Sequence, residues 1–331
     1  LEYRGESAYN DDLPNVLADL AAAGQLHESD GAKVVYPAGF AGRDGEPMPM
    51  IVQKSDGGFL YATTDLAAAR YRLRVLRADR VIYVTDARQG PHFAMLFQVL
   101  RQVGWAPSPP APGGVRLDHV AFGMILGHDR RPFKTRSGET VKLADAITEA
   151  EERAEAIIRT KNPDLPEADR KHAAHVIGVG AMKYADLSSE RIKDYTFDWD
   201  RVLALEGNTA PYLQNAYVRI RSIFRKAEAQ GCQPDAPGRI GVSHPAERAL
   251  VLRLAQFPQV VYGVADSLEP HRLCNYLYEL ASSYHGFYEN CPVLTAPDAA
   301  TRDSRLRLSG LVARTLATGL GLLGIGTVEQ M

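Results

Sequence analysis

The sequence predicts an α/β fold followed by an all-α region. Between residues 60 and 126, strand-like and helix-like segments alternate, which is typical of a parallel sheet with helices packed on it. From residue 201 onward, apolar residues recur only with the helical period, which predicts a bundle of helices. We therefore expect the boundary between the two regions near residues 200–210.

The composition fits one large or two ordinary domains. The chain has 331 residues, of which 45% are apolar and 24% charged, as in ordinary globular proteins. A net charge of −2 means that any nucleic acid must be met by local basic patches. The three cysteines lie far apart without a CxxC pair, so neither a disulfide framework nor a metal site is predicted. This cysteine usage fits a reducing cytoplasm, and no apolar run is long enough to span a membrane.

Residues 1–60 are predicted to contain one helix and several short strands. The helix is expected over residues 13–24, "LPNVLADLAAAG". Strands are expected over "AKVVYP" (32–37), "MPMIVQKS" (48–55) and "GGFLYATT" (57–64). Frequent Gly and Pro residues between these segments supply the turns.

The alternating segment follows. A helix is predicted over residues 65–77, a strand over 80–86, a helix over 91–104 with Pro91 in its first turn, and a strand over 118–126. Because ligands of parallel sheets bind at the carboxyl ends of the strands, the residues that follow each strand are the candidates for function.

The helical period dominates after residue 142. Long amphipathic helices are predicted over residues 141–161 and 166–187, and a strand-like "DYTFDWD" follows at 194–200. Five further segments are predicted to be helices: 210–230, 245–257, 258–267, 269–291 and 302–324.

A basic loop, "GHDRRPFKTRSGETVK", joins a predicted strand to a predicted helix at residues 127–142. Five of its sixteen residues are Lys or Arg. Lys134 and Arg136 could fold over a polyphosphate and stabilise the charge that builds on a leaving pyrophosphate, with Gly127 and Gly138 as hinges. On composition alone, a solvated surface turn is the favoured alternative.

Two neighbouring strand ends carry a candidate site for a cationic substrate. In "YATTD", Asp65 can accept a guanidinium bidentately, and Tyr61 can flank it. In "VTDARQGPH", Gln89 adds a carbonyl acceptor and His92 lies close by. The alternatives are a helix cap for Asp65, a core position for Tyr61, a solvated loop for Gln89 and a first-turn histidine for His92.

The helix predicted over residues 210–230 carries a candidate RNA-binding surface. Asn208 and Thr209 are placed to cap it. Exposed aromatics can stack on unpaired RNA bases, and arginines can hold phosphates. The candidates are Tyr212, Tyr217, Arg219 and Arg221. The alternative is that the tyrosines lie in the core and the arginines form a solvated face.

Several of these segments resemble arginyl-tRNA synthetases, a class I family. "FGMILGHDRRPFKTRSGETVKLAD" resembles their second signature region, with "FKTRS" in the place of K-M-S-K-S. "GGFLYATTDLAAARYRL" and "DRVIYVTDARQGPHFAMLFQVLRQVGW" resemble their arginine-pocket segments. "MKYADLSSERIKDYTFDWDRVLALEGNTAPYLQNAYVRIRSIFRKA" resembles the junction where these enzymes pass from the catalytic region into the anticodon-binding bundle, although Asn215 stands where the family more often has Tyr.

The resemblance implies residue roles. Tyr61, Asp65 and Gln89 would contact the substrate arginine, and His92 would lie beside the adenylate. Lys134 and Arg136 would be the catalytic residues, and with Phe133 they would hold ATP. Tyr212, Tyr217, Arg219 and Arg221 would bind tRNA.

The resemblance also implies an architecture and a function. It divides the chain into part of a nucleotide-binding, Rossmann-like catalytic domain (1–145), a helical connecting region (146–205) and a helical anticodon-binding domain of DALR type (206–331). The function implied is ATP-dependent activation of L-arginine, with Mg²⁺, and transfer to tRNA(Arg). We expect a cytoplasmic enzyme that is monomeric at full length and has no membrane contact.

One expected motif is missing from the chain. Class I synthetases carry a H-I-G-H-like sequence early in the nucleotide-binding fold, and no His-x-Gly-His pattern is present here. We therefore expect an incomplete portion of the enzyme, which does not form arginyl-adenylate by itself. Two alternatives stay open: a non-catalytic, truncated tRNA-binding module, and a synthetase for another amino acid such as cysteine.

Overall fold

The computed structural model describes residues 2–127, 142–234 and 236–331. The chain divides into two compact units, Leu1–Phe122 and Gly123–Met331. The predicted fold class, α/β followed by all-α, is confirmed. The predicted division into 1–145, 146–205 and 206–331 stays a prediction.

The first unit contains three α-helices and five strands. The helices are α1 (Leu13–Ala22), α2 (Tyr61–Arg74) and α3 (Gly90–Gln102), and the strands are β1 (His27–Ser29), β2 (Ala32–Val35), β3 (Met50–Gln53), β4 (Arg80–Asp86) and β5 (Arg116–Phe122). Strands β1, β2 and β3 form an antiparallel sheet, and β4 pairs with β5 in parallel through the α3 crossover. Leu20, Leu66, Leu96 and Leu100 are fully buried in the core of this unit.

The β4–β5 sheet is buried on one face of β4. Val81 and Tyr83 are buried, whereas the alternate residues Ile82 and Val84 are 43% and 62% exposed. Strands of a parallel sheet are usually covered on both faces. This sheet therefore presents an apolar surface to solvent in the described part of the chain.

The strand predicted over residues 57–64 is wrong. Helix α2 begins at Tyr61, and the segment before it contributes only a single bridge between Gln53 and Phe59. β-Branched residues such as Thr63 are frequent in strands, but this side chain is fully buried and donates a hydrogen bond to the Val52 carbonyl. This tertiary contact fixes the first turn of the helix against β3.

The strand predicted over residues 118–126 is broken at Gly123. A Cβ atom at this position would lie 2.7 Å from the Lys193 carbonyl carbon, so only glycine fits. The chain after Gly123 pairs with a different strand, where Ile125 lies opposite Tyr195 and Leu126 opposite Thr196.

The second unit is mainly helical. It contains β6 (Ile125–Leu126), α4 (Leu143–Lys161), α5 (Glu167–Leu187), β7 (Tyr195–Thr196), α6 (Trp199–Val202), α7 (Ala210–Ala229), α8 (Pro245–Ala255), α9 (Phe257–Ser267), α10 (His271–Asn290) and α11 (Ala299–Leu322). Leu213, Ile220, Leu277 and Leu316 are fully buried in the bundle core. Thr209 caps α7 by accepting a hydrogen bond from the Tyr212 amide.

Asn208 does not cap this helix. Its side-chain oxygen accepts a hydrogen bond of 2.6 Å from the Tyr184 hydroxyl, and its amide donates to the Asn275 side chain. The Tyr184 hydroxyl lies 2.9 Å from the Cys274 carbonyl as well. These bonds join α5 and the start of α7 to α10.

No helix in the three described ranges combines the length and apolarity that a membrane crossing requires.

Candidate active site and nucleic-acid interface

The first turns of α2 and α3 bring two predicted site residues together. Asp65 lies one turn into α2, and His92 is the third residue of α3. The Asp65 Oδ2 atom is 2.7 Å from His92 Nε2. Their side chains remain 25% and 32% exposed, so the pair is accessible from solvent.

The helix-cap alternative for Asp65 is wrong. The cap position of α2 is held by Leu60, and no side chain caps this helix. Within the described part of the chain, the Oδ1 atom of Asp65 accepts no hydrogen bond. This oxygen is free to accept a hydrogen bond from a cation while His92 holds the other.

Tyr61 and Gln89 both lie at the surface. Tyr61 is the first residue of α2 and its side chain is 75% exposed, so the core alternative for it is wrong. Gln89 ends a short 3₁₀ turn that precedes α3. Asp86 begins this turn by accepting hydrogen bonds from the backbone and guanidinium of Arg88, which lower the pKa of Asp86. No hydrogen bond among the described residues joins Gln89 to Asp65.

The rings of His92, Phe93 and His119 pack against one another in a row. The His92 ring meets the edge of Phe93 at a centroid distance of 5.2 Å, and Phe93 stacks on His119 at 5.0 Å. The His119 Nε2 atom lies 2.8 Å from the Thr85 hydroxyl near the carboxyl end of β4. Sequence reasoning missed His119, although a polar residue inside the strand pattern "DHVAF" was a signal.

The basic loop is only partly described. Phe133, Lys134 and Arg136 lie outside the described residues. The strand that leads into the loop is held firmly, since the Met124 amide donates a hydrogen bond of 2.7 Å to the Asp194 carboxylate. The Gly123 amide donates one to the Arg191 carbonyl, also at 2.7 Å. The Arg191 side chain in turn donates to the Leu268 carbonyl at the end of α9.

A cavity of about 210 Å³ lies between α7 and α10 in the second unit. Its lining residues are Leu205, Tyr212, Asn215, Ala216, Arg219, Ala281, Tyr284 and His285. The Arg219 guanidinium lies 3.3 Å from His285 Nδ1 and 5.9 Å from the ring centre of Tyr288. The partly exposed ring of Tyr212 and the Arg219 guanidinium at the rim match the chemistry that binds an unpaired base, whereas Tyr284 is only 1% exposed.

The structure separates the four predicted RNA-binding residues into two groups. Tyr212 and Arg219 line the cavity. Tyr217 and Arg221 contact Glu329 near the end of the chain. Burial and the Glu329 carboxylate raise the pKa of Tyr217, so its hydroxyl stays protonated. Sequence reasoning missed His285, because α10 meets α7 only in the folded bundle. The helical spacing of Tyr284 indicates a core position, and the structure places it there.

Within the described ranges, no group of three or more His, Cys, Asp or Glu side chains is placed to hold a metal ion.

Comparison with known proteins places these features in one family. The family model described as "tRNA synthetases class I (R), catalytic domain" matches residues 1–199, and "DALR anticodon binding domain" matches residues 213–331. Curated arginine–tRNA ligases of Laribacter hongkongensis and Chromobacterium violaceum are 54% and 52% identical over 100% and 99% of the chain. The chain spans about 56% of the length of each of these relatives.

Solved structures agree. The arginyl-tRNA synthetase of Plasmodium falciparum superimposes with a TM-score of 0.82 at 31% identity, covering 100% of this chain and 54% of its own. The Thermus thermophilus arginyl-tRNA synthetase gives a TM-score of 0.80 at 30% identity, covering 96% of this chain and 58% of its own. The chain therefore belongs to the class I arginyl-tRNA synthetase family.

Proposed function

We propose that this chain is a portion of an arginine–tRNA ligase and carries its arginine-recognition and tRNA-binding residues. The reaction has two steps. L-Arginine and ATP give arginyl-adenylate and pyrophosphate, and the arginyl group then passes to the terminal ribose of tRNA(Arg) with release of AMP. The observation that carries the proposal is the partly exposed Asp65 carboxylate, held on one side by His92.

Arginine recognition follows from the geometry of Asp65. A guanidinium presents its N–H donors in a fixed plane that suits a carboxylate. His92 holds Oδ2 and thereby orients the carboxylate, which leaves Oδ1 for the substrate. Gln89 would add a carbonyl acceptor, and the exposed ring of Tyr61 would flank the cation. A neutral amino acid of similar shape would leave the Oδ1 atom of Asp65 without a cationic partner.

In the activation step, one bond to the α-phosphorus of ATP forms and another breaks. A substrate carboxylate oxygen bonds to this phosphorus, and the bond to the bridging oxygen of pyrophosphate breaks. The leaving pyrophosphate gains negative charge, which cations can stabilise. Lys134 and Arg136, with Phe133 beside the nucleotide, are the proposed residues, supported by the match of "FKTRS" to the family signature. Mg²⁺ would enter with ATP on its phosphate oxygens, and His92 would lie beside the adenylate.

The second unit would bind the tRNA. Its cavity between α7 and α10 has room for one base, with the partly exposed Tyr212 as its aromatic wall. Arg219 at the rim would contact the base or its phosphate. The remaining candidates, Tyr217 and Arg221, lie beside Glu329 and would contact the backbone of the RNA. The complete enzyme is proposed to act in the cytoplasm as a monomer.

The arginine pocket can be tested on the chain itself. Saturation-transfer NMR detects weak binding, and citrulline is an uncharged analogue of arginine with nearly the same shape. We expect a signal from arginine and none from citrulline with the wild type. Asp65→Asn should abolish the arginine signal, because the amide no longer offers a charged acceptor.

The control is Asp79→Asn, which changes an exposed carboxylate of the same unit and should leave the signal intact. If Asp65→Asn still binds arginine and only lowers the unfolding temperature, Asp65 has a structural role and the pocket is wrongly placed.

The comparisons support a ligase rather than the alternative, a non-catalytic tRNA-binding module, because the catalytic-domain model matches residues 1–199. The cavity and its arginine lie wholly within the second unit, so they do not require the Asp65 site. The hypothesis of a tRNA-binding module predicts that the chain binds tRNA, and that arginine neither gives a saturation-transfer signal nor raises the unfolding temperature. Binding of both ligands would exclude it.

A further inference from the structure

One edge of α7 directs three hydrogen-bond donors at a single residue. Tyr217, Arg221 and Arg225 are spaced four residues apart, which places them on the same side of the helix. All three contact Glu329, which lies after α11. The arrangement brings the two arginines and a hydroxyl to one carboxylate.

The contacts are those of an anion site. Arg221 Nε lies 2.8 Å from Glu329 Oε2, and the Tyr217 hydroxyl lies 3.4 Å from Oε1. Arg225 donates to the Glu329 backbone carbonyl at 3.1 Å, and its guanidinium is 3.8 Å from Oε2. The side chains of Arg221, Arg225 and Glu329 are 33%, 41% and 58% exposed. An incoming anion could therefore reach both arginines.

Glu329 is not needed to hold its own segment in place. The preceding residue, Val328, is 7% exposed and packs in a core cluster. The Gly326 carbonyl accepts a hydrogen bond of 2.8 Å from the buried Gln214 side chain. These contacts anchor the segment from inside, so the exposed Glu329 carboxylate can leave the arginines without releasing the chain.

The site flanks the surface on which RNA is proposed to bind. Successive residues of a helix are about 100° apart around its axis, so Arg219 and Arg221, two residues apart, point about 200° from each other. They therefore lie at opposite edges of the solvent-exposed side of α7. Arg219 borders the base cavity. A helix with its side chains is about 10–12 Å wide, so a single strand with one base in the cavity can reach Arg221 within a few nucleotides.

We propose that Tyr217, Arg221 and Arg225 form a binding site for an RNA backbone phosphate, and that Glu329 occupies this site when RNA is absent. The inference rests on the proposed tRNA binding. Arginine pairs with carboxylate and phosphate by the same charge-assisted hydrogen bonds. Glu329 is thus an internal competitor of the RNA, and each binding event must displace it.

Removing the competitor should tighten binding. Exposed ion pairs are worth little, so Glu329→Gln is expected to lower the Kd for tRNA by about two- to fivefold at constant salt. Fluorescence anisotropy of the full chain with a labelled bacterial tRNA(Arg) transcript measures this change. In a background that carries both Arg221→Met and Arg225→Met, Glu329→Gln should give no gain, because both arginines that Glu329 shields are gone.

The matched control is Glu228→Gln. Glu228 lies on α7, the helix that carries Arg221 and Arg225, and it is exposed and forms no ion pair among the described residues. Its replacement therefore removes one negative charge near the same arginines. A gain with Glu329→Gln well above that with Glu228→Gln supports the proposal. Unfolding temperatures of both variants close to that of the wild type establish that the fold is intact.

Three results would overturn the proposal: Glu329→Gln binds no more tightly than the wild type, Glu228→Gln gives the same gain, or the gain persists when both Arg221 and Arg225 are replaced by Met. Absence of tRNA binding by every variant would instead overturn the RNA-binding part of the proposed function, and the phosphate site with it.

Discussion

Replacing Glu247 by Gln should destabilise the helical bundle strongly. Glu247 lies in the first turn of α8 and is 2% exposed, and its Oε1 atom pairs with Arg305 Nε of α11 at 2.8 Å. The other carboxylate oxygen accepts hydrogen bonds from the amides of Ser243 and His244, at 2.7 and 2.9 Å. An amide side chain cannot accept all of these bonds and leaves Arg305 as a buried, uncompensated charge.

The pKa of Glu247 gives the magnitude. Burial by itself would raise this pKa, but the hydrogen bonds from Arg305, Ser243 and His244 outweigh burial and lower it from 4.5 to about 2. A difference of about 2.5 pKa units corresponds to about 3 kcal/mol in the free energy of unfolding. Because the pKa is lower in the folded chain, this stabilisation is present above pH 4.5 and is lost as the pH falls toward 2. Breaking a buried ion pair has a similar cost, about 3–5 kcal/mol.

Urea unfolding of the wild type and Glu247→Gln, followed by circular dichroism between pH 7 and pH 3, measures this cost. The variant should lose about 3 kcal/mol at pH 7, and its stability should depend less on pH below 4.5. The control is Glu279→Gln, which breaks an exposed pair with Arg253 and should cost at most about 1 kcal/mol. Equal losses for the two variants, or an unchanged pH dependence for Glu247→Gln, would refute the reasoning.

Three further predictions concern the basic loop and the proposed ligands. Gly123→Ala should separate β6 from β7, because the new Cβ would lie 2.7 Å from the Lys193 backbone. We expect a loss of about 1–3 kcal/mol in the free energy of unfolding, and an unchanged urea midpoint would contradict this prediction. Arg219→Ala should weaken tRNA binding by about 1–3 kcal/mol in anisotropy titrations, whereas the exposed control Arg248→Ala should have little effect; similar affinities for both would show that Arg219 does not contact RNA. The chain should not catalyse arginine-dependent ATP–pyrophosphate exchange with tRNA present, since it contains no His-x-Gly-His motif, and measurable exchange would refute this expectation.

The sequence pattern predicted an element correctly where residues within that element determine its structure. The apolar, β-branched composition of "RVIYVTD" predicted β4, and Pro91 in the first turn predicted the start of α3. The sequence pattern predicted the wrong element where the segment makes a contact with a residue distant in sequence. "GGFLYATT" has the composition of a strand, but the bond from Thr63 to the Val52 carbonyl starts a helix there.

The sequence predicted that Asp65 and His92 lie close together, but for a wrong reason, because Asp65 lies inside α2 and no strand beside β4 in the described part of the chain ends before it. Their roles, by contrast, came from family resemblance, since a carboxylate early in a helix is more often a cap. The Glu329 partner of Arg221 could not have been found in this way, because 108 residues separate them. Side-chain pairs at such separation are set by the packing of the whole bundle.

The most direct test of the arginine pocket is a crystal structure of this chain within the complete enzyme, bound to a non-hydrolysable arginyl-adenylate analogue. We predict that the guanidinium of the analogue lies within about 2.7–3.2 Å of the Asp65 carboxylate, with His92 still bonded to its other oxygen. A guanidinium held elsewhere, with the Asp65 carboxylate in contact only with His92 and solvent, would contradict the central claim.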